Sequence, residues 1–280
     1  MPLIKLQSGI NLSYQSFGKG FPFVLIAGTG SSSSKWKIYQ TGFFSKYYKT
    51  IVYDHRGTGK SDKPDVVYTT RMLAADLNEL LNALNIEQAH ILGHSMGGQV
   101  AQWFALDYPA RTKALVLADT GCGRIERGKE YTRGISLMNC LRLIEARGSI
   151  ARYNRNMMLN TDFWFSPEFR KKNPEMLAKI VRIATYNSTP IKFYLRHIIA
   201  RQMHETTDLL GKIKVLTLIL VGENDHFAEG TGDFVRQCQF MASRIPNSKF
   251  VMIKGARHGI FWEKPDETNK ATLRWLREHD

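Results

Sequence analysis

The chain has 280 residues, 43% of them hydrophobic, enough to bury a large core in one α/β domain with room for an insertion. Its longest apolar runs, such as Phe21 to Ala27, fall far short of the roughly 20 residues that span a bilayer. The start, Met1-Pro2-Leu3-Ile4-Lys5, lacks the basic stretch and apolar block of a secretory signal, so a cytoplasmic protein without a transmembrane segment is the expectation. Lys and Arg number 39 against 25 Asp and Glu, a formal charge of +14, which admits nucleic acid, an anionic membrane surface or acidic substrates until the charge is located.

In chain order, Leu3 to Leu6 and Asn11 to Phe17, parted by Ser8-Gly9, read as an opening hairpin. Phe23 to Ala27, Thr50 to Tyr53, Ala89 to Leu92 and Ala114 to Leu117 are apolar on both faces, the pattern of buried parallel strands. Between them Leu73, Leu77, Leu80, Leu81 and Leu84 recur at helical spacing, and so do Val100, Trp103, Phe104 and Leu106. After Asp119 the alternation stops, and from about Gly121 to Lys214 only helical patterns rich in Arg, Met and aromatics remain. Strands resume with Val215 to Val221 and Lys249 to Ile253. The pattern predicts a core domain over 1–120 and 215–280 and an all-helical cap over 121–214, inserted after the sixth strand of the core. That cap holds 18 Lys and Arg against 8 Asp and Glu, +10 of the total, so the core is nearly neutral.

Cys122, Cys140 and Cys238 are odd in number and far apart, with no CxxC pair and no histidine at ligand spacing. This argues against a disulfide framework and against a metal site. Basic side chains scattered over helical faces without a recognised motif argue against nucleic acid as well. The oligomeric state leaves no trace in the sequence.

The strongest chemical signal is Gly93-His94-Ser95-Met96-Gly97, a G-x-S-x-G match between a strand and a helix. A serine on so tight a turn has a strained backbone, and the flanking glycines leave room for the turn to close. Its hydroxyl then stands above the sheet at a helix N-terminus, where developing negative charge is favoured. Ser95 is a weak nucleophile until an imidazole accepts its proton and a carboxylate fixes that imidazole. Asp225, in Gly222-Glu-Asn-Asp225 after the seventh strand, and His258, in Lys254-Gly-Ala-Arg-His258 after the eighth, supply both in the order Ser, Asp, His. Asp119, at the end of the sixth strand, is the alternative acid.

These residues, with Tyr53-Asp54-His-Arg-Gly57-Thr-Gly59-Lys-Ser61, resemble the α/β-hydrolase superfamily, close to its small esterases, enol-lactone hydrolases, C-C bond hydrolases and cofactor-free haloperoxidases. The match covers about 1–120 and 205–280, and the helical segment is similar to the family's cap in position only. The resemblance implies the α/β-hydrolase fold: a mostly parallel eight-stranded sheet flanked by helices. It also implies an oxyanion hole made by the backbone N–H groups of Met96 and, from the loop Ala27-Gly28-Thr29, of Thr29. Where the family commonly has His-Gly in that loop, this chain has Ala27-Gly28. Asp54 is read as organising a turn and His94 as a packing residue.

The implied chemistry is serine hydrolysis of an ester, lactone or thioester of a small organic substrate, neutral or anionic, through an acyl-enzyme, with no cofactor. Two alternatives stay open: a C-C bond hydrolase of vinylogous diketones, and a ligand-binding module with little turnover. Trp36, Trp164, Phe163, Phe165, Met157 and Met158 line either an acyl pocket or the cap's own core. Arg124, Arg127, Arg133 and Arg142 are the candidate contacts to an anion.

Overall fold

The computed structural model describes residues 2–125, 142–143, 145–186, 188–226 and 233–279. Eight strands form one sheet: β1 (Leu3–Lys5), β2 (Asn11–Phe17), β3 (Pro22–Ile26), β4 (Lys49–Tyr53), β5 (Ala89–His94), β6 (Thr112–Ala118), β7 (Thr217–Gly222) and β8 (Ser248–Ile253). Their spatial order is β1-β2-β4-β3-β5-β6-β7-β8. The hairpin lies at one edge, with β1 antiparallel to β2 and β2 antiparallel to β4, and every other pairing is parallel. The sequence-based strands are all present, shifted by at most three residues at their ends.

Side chains alternate across each strand, so the sheet divides the apolar residues between two cores. Val24 and Ile26 of β3 pack with Leu73, Leu77 and Leu80 of helix α2 (Thr70–Ala83) and with Val100 and Phe104 of α3 (Met96–Asp107). Phe23 and Leu25 face the other way, into a cluster with Phe44, Trp36 and Leu276. Parallel strands covered on both faces need apolar residues at successive positions, which is the reading the sequence invited. Each side chain of this size, sealed from water, stabilises the fold by about 1.5–3 kcal/mol. Helix α2 begins where Thr69 accepts the Met72 amide at 3.0 Å, satisfying one of the free donors of its first turn.

Between β6 and β7 no described residue forms a strand. Helices α4 (Ile150–Asn160), α5 (Pro167–Lys172), α6 (Pro174–Thr185) and α7 (Ile191–Gln202) occupy that stretch. They follow α1 (Gln40–Phe44), α2 and α3 in chain order and precede α8 (Phe234–Arg244), α9 (Ile260–Glu263) and α10 (Pro265–Arg277). The inserted helices are tied to the loops at the C-terminal ends of the strands. Thr189 Oγ1 donates to Gly30 O at 2.9 Å, Gly30 N to His197 Nδ1 at 3.3 Å, and Ser166 N to Glu263 Oε1 at 2.8 Å. The ends of the insertion merge into the main core, because Cys122, Leu210 and Ile213 belong to the cluster under α3 and α8. No described helix is long and apolar enough to cross a membrane.

Candidate active site

Ser95 sits between β5 and α3 with φ 57° and ψ −127°, a left-handed conformation that non-glycine residues rarely adopt. The surroundings hold it there. Its amide donates to Ala118 O at 2.9 Å, while its own carbonyl accepts from Gly98 N at 2.9 Å and Thr120 Oγ1 at 2.7 Å. The glycines of the motif are required by close backbone approach. A Cβ on Gly93 would collide with the Gly97 carbonyl, and one on Gly97 with the Ile26 carbonyl. A Cβ built on Gly28 would stand 3.0 Å from Ser95 Cβ and 3.5 Å from its Oγ, so the loop carrying Thr29 runs directly against the serine.

Asp225 and His258 meet on the loops after β7 and β8. Asp225 Oδ2 and His258 Nδ1 are 2.8 Å apart, and both side chains are only 1% exposed. Aromatic rings fix the imidazole on two sides: Phe163 stacks on it at 4.5 Å and Phe234 lies 4.8 Å away. The inserted segment anchors its backbone, with His258 N donating to Phe163 O at 3.2 Å and Gly259 N to Trp164 O at 3.0 Å. Burial pushes the imidazole pKa down to about 3, opposed by the charge of Asp119 and reinforced by Lys35 and Arg201, so the free ring is neutral. A neutral ring whose Nδ1–H donates to Asp225 leaves Nε2 as a proton acceptor. Ser95 and His258 both line one cavity of about 70 Å³.

Asp119, the alternative acid, lies beneath this pair. Its Oδ1 accepts from Gly222 N at 2.9 Å, and burial together with the nearby Asp225 raises its pKa well above the usual carboxylate range. The 2.8 Å contact to His258 belongs to Asp225. His94 is fully packed: its Nε2 lies 2.9 Å from His258 O and its Nδ1 2.7 Å from Lys35 Nζ. With Nε2–H donating to the carbonyl, Nδ1 is left to accept from the ammonium. Asp54 does organise its turn, taking Ser33 N at 2.7 Å and Lys60 N at 3.0 Å on its two oxygens, and only glycine fits against it at position 59.

The structure sorts the aromatic and basic candidates. Trp164, Phe163, Met157 and Met158 line the cavity together with Thr29, Tyr153 and Tyr194. Trp36 does not: the 3-10 turn Ser33–Lys37 directs it into the second core against Phe261 at 5.2 Å, and presents Lys35 to the cavity instead. Phe165 packs in the satellite core with Trp262. Arg124 is half exposed, paired with Glu205 at 3.2 Å and outside the cavity lining. Arg142 does not line the cavity either, while Arg127, Arg133 and Cys140 lie outside the described residues. Among the described residues, the cations that do line it are Lys35 and Arg201, which the sequence reading passed over. Arg201 was detectable, since Tyr194, Ile198 and Arg201 fall at i, i+4 and i+7 on one face of α7.

A mostly parallel sheet with a strained serine above its centre, beside a buried Asp–His pair and under inserted helices, defines a hydrolase of the α/β type. The chain belongs to the alpha/beta hydrolase fold family, whose model matches residues 22–265. It is 27% identical over 264 residues to 3-oxoadipate enol-lactonase 2 of Acinetobacter baylyi, covering 94% of this chain and 91% of that protein. It is 26% identical over 288 residues to 2-hydroxy-6-oxononadienedioate/2-hydroxy-6-oxononatrienedioate hydrolase 1 of Pseudomonas putida, with 98% and 95% covered. Among solved structures, a thermophilic esterase from Thermogutta terrifontis matches with a TM-score of 0.82 at 27% identity over 100% of both chains.

Proposed function

We propose that the protein is a serine hydrolase cleaving an ester, lactone or thioester of a small organic substrate, with Ser95 as nucleophile, His258 as general base and Asp225 as the residue that orients it. The observation that carries this reading is Ser95 at positive φ, facing the same cavity as a neutral His258 whose Nδ1 lies 2.8 Å from Asp225. In the first step Ser95 Oγ bonds to the substrate carbonyl carbon and its proton passes to His258 Nε2. The backbone N–H groups of Thr29 and Met96 receive the oxyanion, and the leaving oxygen or sulfur departs with the proton that His258 held. Water then gives a proton to His258 and attacks the acyl-enzyme, which releases the acid and restores Ser95. The inserted helices act as a cap that supplies the far wall of the cavity. The similarity to the enol-lactonase and the esterase supports ester-type bonds.

The similarity to the oxononadienedioate hydrolase supports, as a second reading, hydrolysis of a substrate of that kind by the same residues. Cys122 and Cys238 are free and buried, which fits action in the reducing cytoplasm. The deciding experiment combines a fluorophosphonate probe with a panel of ester, lactone, thioester and vinylogous diketone substrates, read against Ser95→Ala. Labelling at Ser95 alone and loss of turnover in the variant support the assignment; labelling or turnover that survives the substitution overturns it.

A further inference from the structure

Among the described residues, the cavity has two cationic side chains in its lining and no carboxylate. Lys35 comes from the core, on the turn after β3, and Arg201 from the inserted helix α7. Neither is a solvated surface charge. Lys35 is 3% exposed, and its Nζ has neutral His94 at 2.7 Å and the faces of Trp36 and Trp262 at 4.6 and 5.4 Å. Arg201 is partly buried by area, yet its Nε is sealed from solvent and donates to no partner. The groups that bear on its charge are the phenols of Tyr194, on the same face of α7, and of Tyr153 on α4.

Burial lowers the Lys35 pKa to about 7, opposed by the charge of Asp119, and lowers that of Arg201, so an anion entering the cavity from outside the chain favours the charged form of both. Four cations elsewhere in the insertion contrast with them in being already paired: Arg170 with Asp162, Lys172 with Glu168, Lys192 and Arg196 with Asp65. Resting on the serine-hydrolase reading above, we propose that Arg201 and Lys35 form a carboxylate seat that selects ester-type substrates bearing a carboxylate. Arg201 offers a planar fork matched to a carboxylate, whereas Lys35 offers a point charge from the opposite structural layer. Both cations also repel the imidazolium form of His258. A substrate carboxylate placed with them removes part of that repulsion while His258 holds the serine proton, so the preference for an anionic substrate appears in kcat as well as in KM.

The test uses a matched pair, 4-nitrophenyl hydrogen glutarate and neutral 4-nitrophenyl valerate. Wild type should favour the anionic ester in kcat/KM by about tenfold or more, a preference that persists at about 1 M salt because buried charges are little screened. Arg201→Met and Lys35→Met should each lower the anionic-to-neutral ratio several-fold, and Arg201→Lys should restore part of it. A ratio near one in wild type, a ratio unmoved by both variants, or a preference that vanishes in salt would each overturn the seat. Glutarate against glutaramide, followed as thermal stabilisation of the wild-type protein, reads binding without turnover or any variant. Stabilisation by glutarate alone supports the seat even if neither ester is hydrolysed, an outcome that would instead remove the hydrolase reading; equal or absent stabilisation overturns the seat.

Discussion

The two walls of the cavity are made by different means. On the sheet side, position is set by backbone: Ser95 is held at positive φ by three hydrogen bonds to its main chain, and Gly93 and Gly97 are glycine because carbonyl groups occupy the space of a Cβ. On the inserted side, Tyr153, Met157, Tyr194, Ile198 and Arg201 enter through side chains projecting from α4 and α7. A backbone-defined wall tolerates little change, since any added atom meets main chain. A side-chain wall can be rebuilt one residue at a time. The comparison puts the proposed chemistry on one wall and the proposed selectivity on the other, and each substitution below sharpens or breaks that separation.

The largest effects belong to the sheet side. Ser95→Ala and His258→Ala should lower kcat by about 10⁶-fold, and Asp225→Ala by a smaller factor of about 10⁴, all with the fold intact by circular dichroism. An Asp225→Ala protein as active as wild type would return the acid role to Asp119. Next comes Gly97→Ala, whose Cβ would stand 2.7 Å from the Ala27 carbonyl and closer still to that of Ile26. It should cost about 1–3 kcal/mol in urea unfolding and slow fluorophosphonate labelling of Ser95. Gly42→Ala, in α1 with nothing within 4 Å of the added methyl, is the contrasting case and should stabilise by about 0.5–1 kcal/mol. If both behave alike, the rigid-wall account fails.

On the inserted side, Met157→Ala and Ile198→Ala should shift relative kcat/KM among acyl chain lengths by several-fold and leave the labelling site unchanged. Activity against pH then tests the burial of His258. Because the folded pKa is depressed to about 3, the imidazole stays neutral as pH falls through the ordinary value of 6.5, and kcat/KM for a neutral ester should hold well below that pH if His258 is the base. An acid limb at or above pH 6.5 would mean the ring is solvated rather than sealed between Phe163 and Phe234.

The smallest effect per residue is on stability. Burial lowers the pKa of His55, His204 and His258 to about 3 and of His197 to about 4, and that of His94 well below its usual value. The unfolded chain takes up these protons first, so stability is present above pH 6.5 and is lost as pH falls toward the folded values, by up to about 1.4 kcal/mol per pH unit for each ring. Asp76, Asp119 and Asp225 act in the opposite sense, because burial raises their folded values and the unfolded carboxylates have already released their protons. Five rings against three carboxyls should leave the urea midpoint lower at pH 5 than at pH 7; a midpoint that rises on acidification contradicts the buried-neutral description.

Most of the fold was legible because a sheet covered on both faces writes itself as consecutive apolar residues between helical leucine patterns. The elbow was legible because glycine spacing reports backbone crowding directly. What escaped was a matter of direction. Trp36 and Lys35 are neighbours on one turn, and composition gave the aromatic residue to the pocket and ignored the lysine; the turn does the reverse. Arg124 was favoured for its nearness to the strand end, but nearness along the chain carries no information about which way a loop leaves the sheet.

The sequence by itself determined the order of strands and helices, the site of the strained serine and the loops bearing Asp225 and His258, since each depends on local spacing and on atoms that fit or do not fit within a few residues. Only the tertiary structure decided that Asp225 rather than Asp119 meets His258 at 2.8 Å, and that Lys35 and Arg201, 166 residues apart in the chain, line one cavity with no carboxylate among its described residues. Burial, pairing and the shift of a pKa are properties of surroundings assembled from distant segments, and no window of sequence contains them.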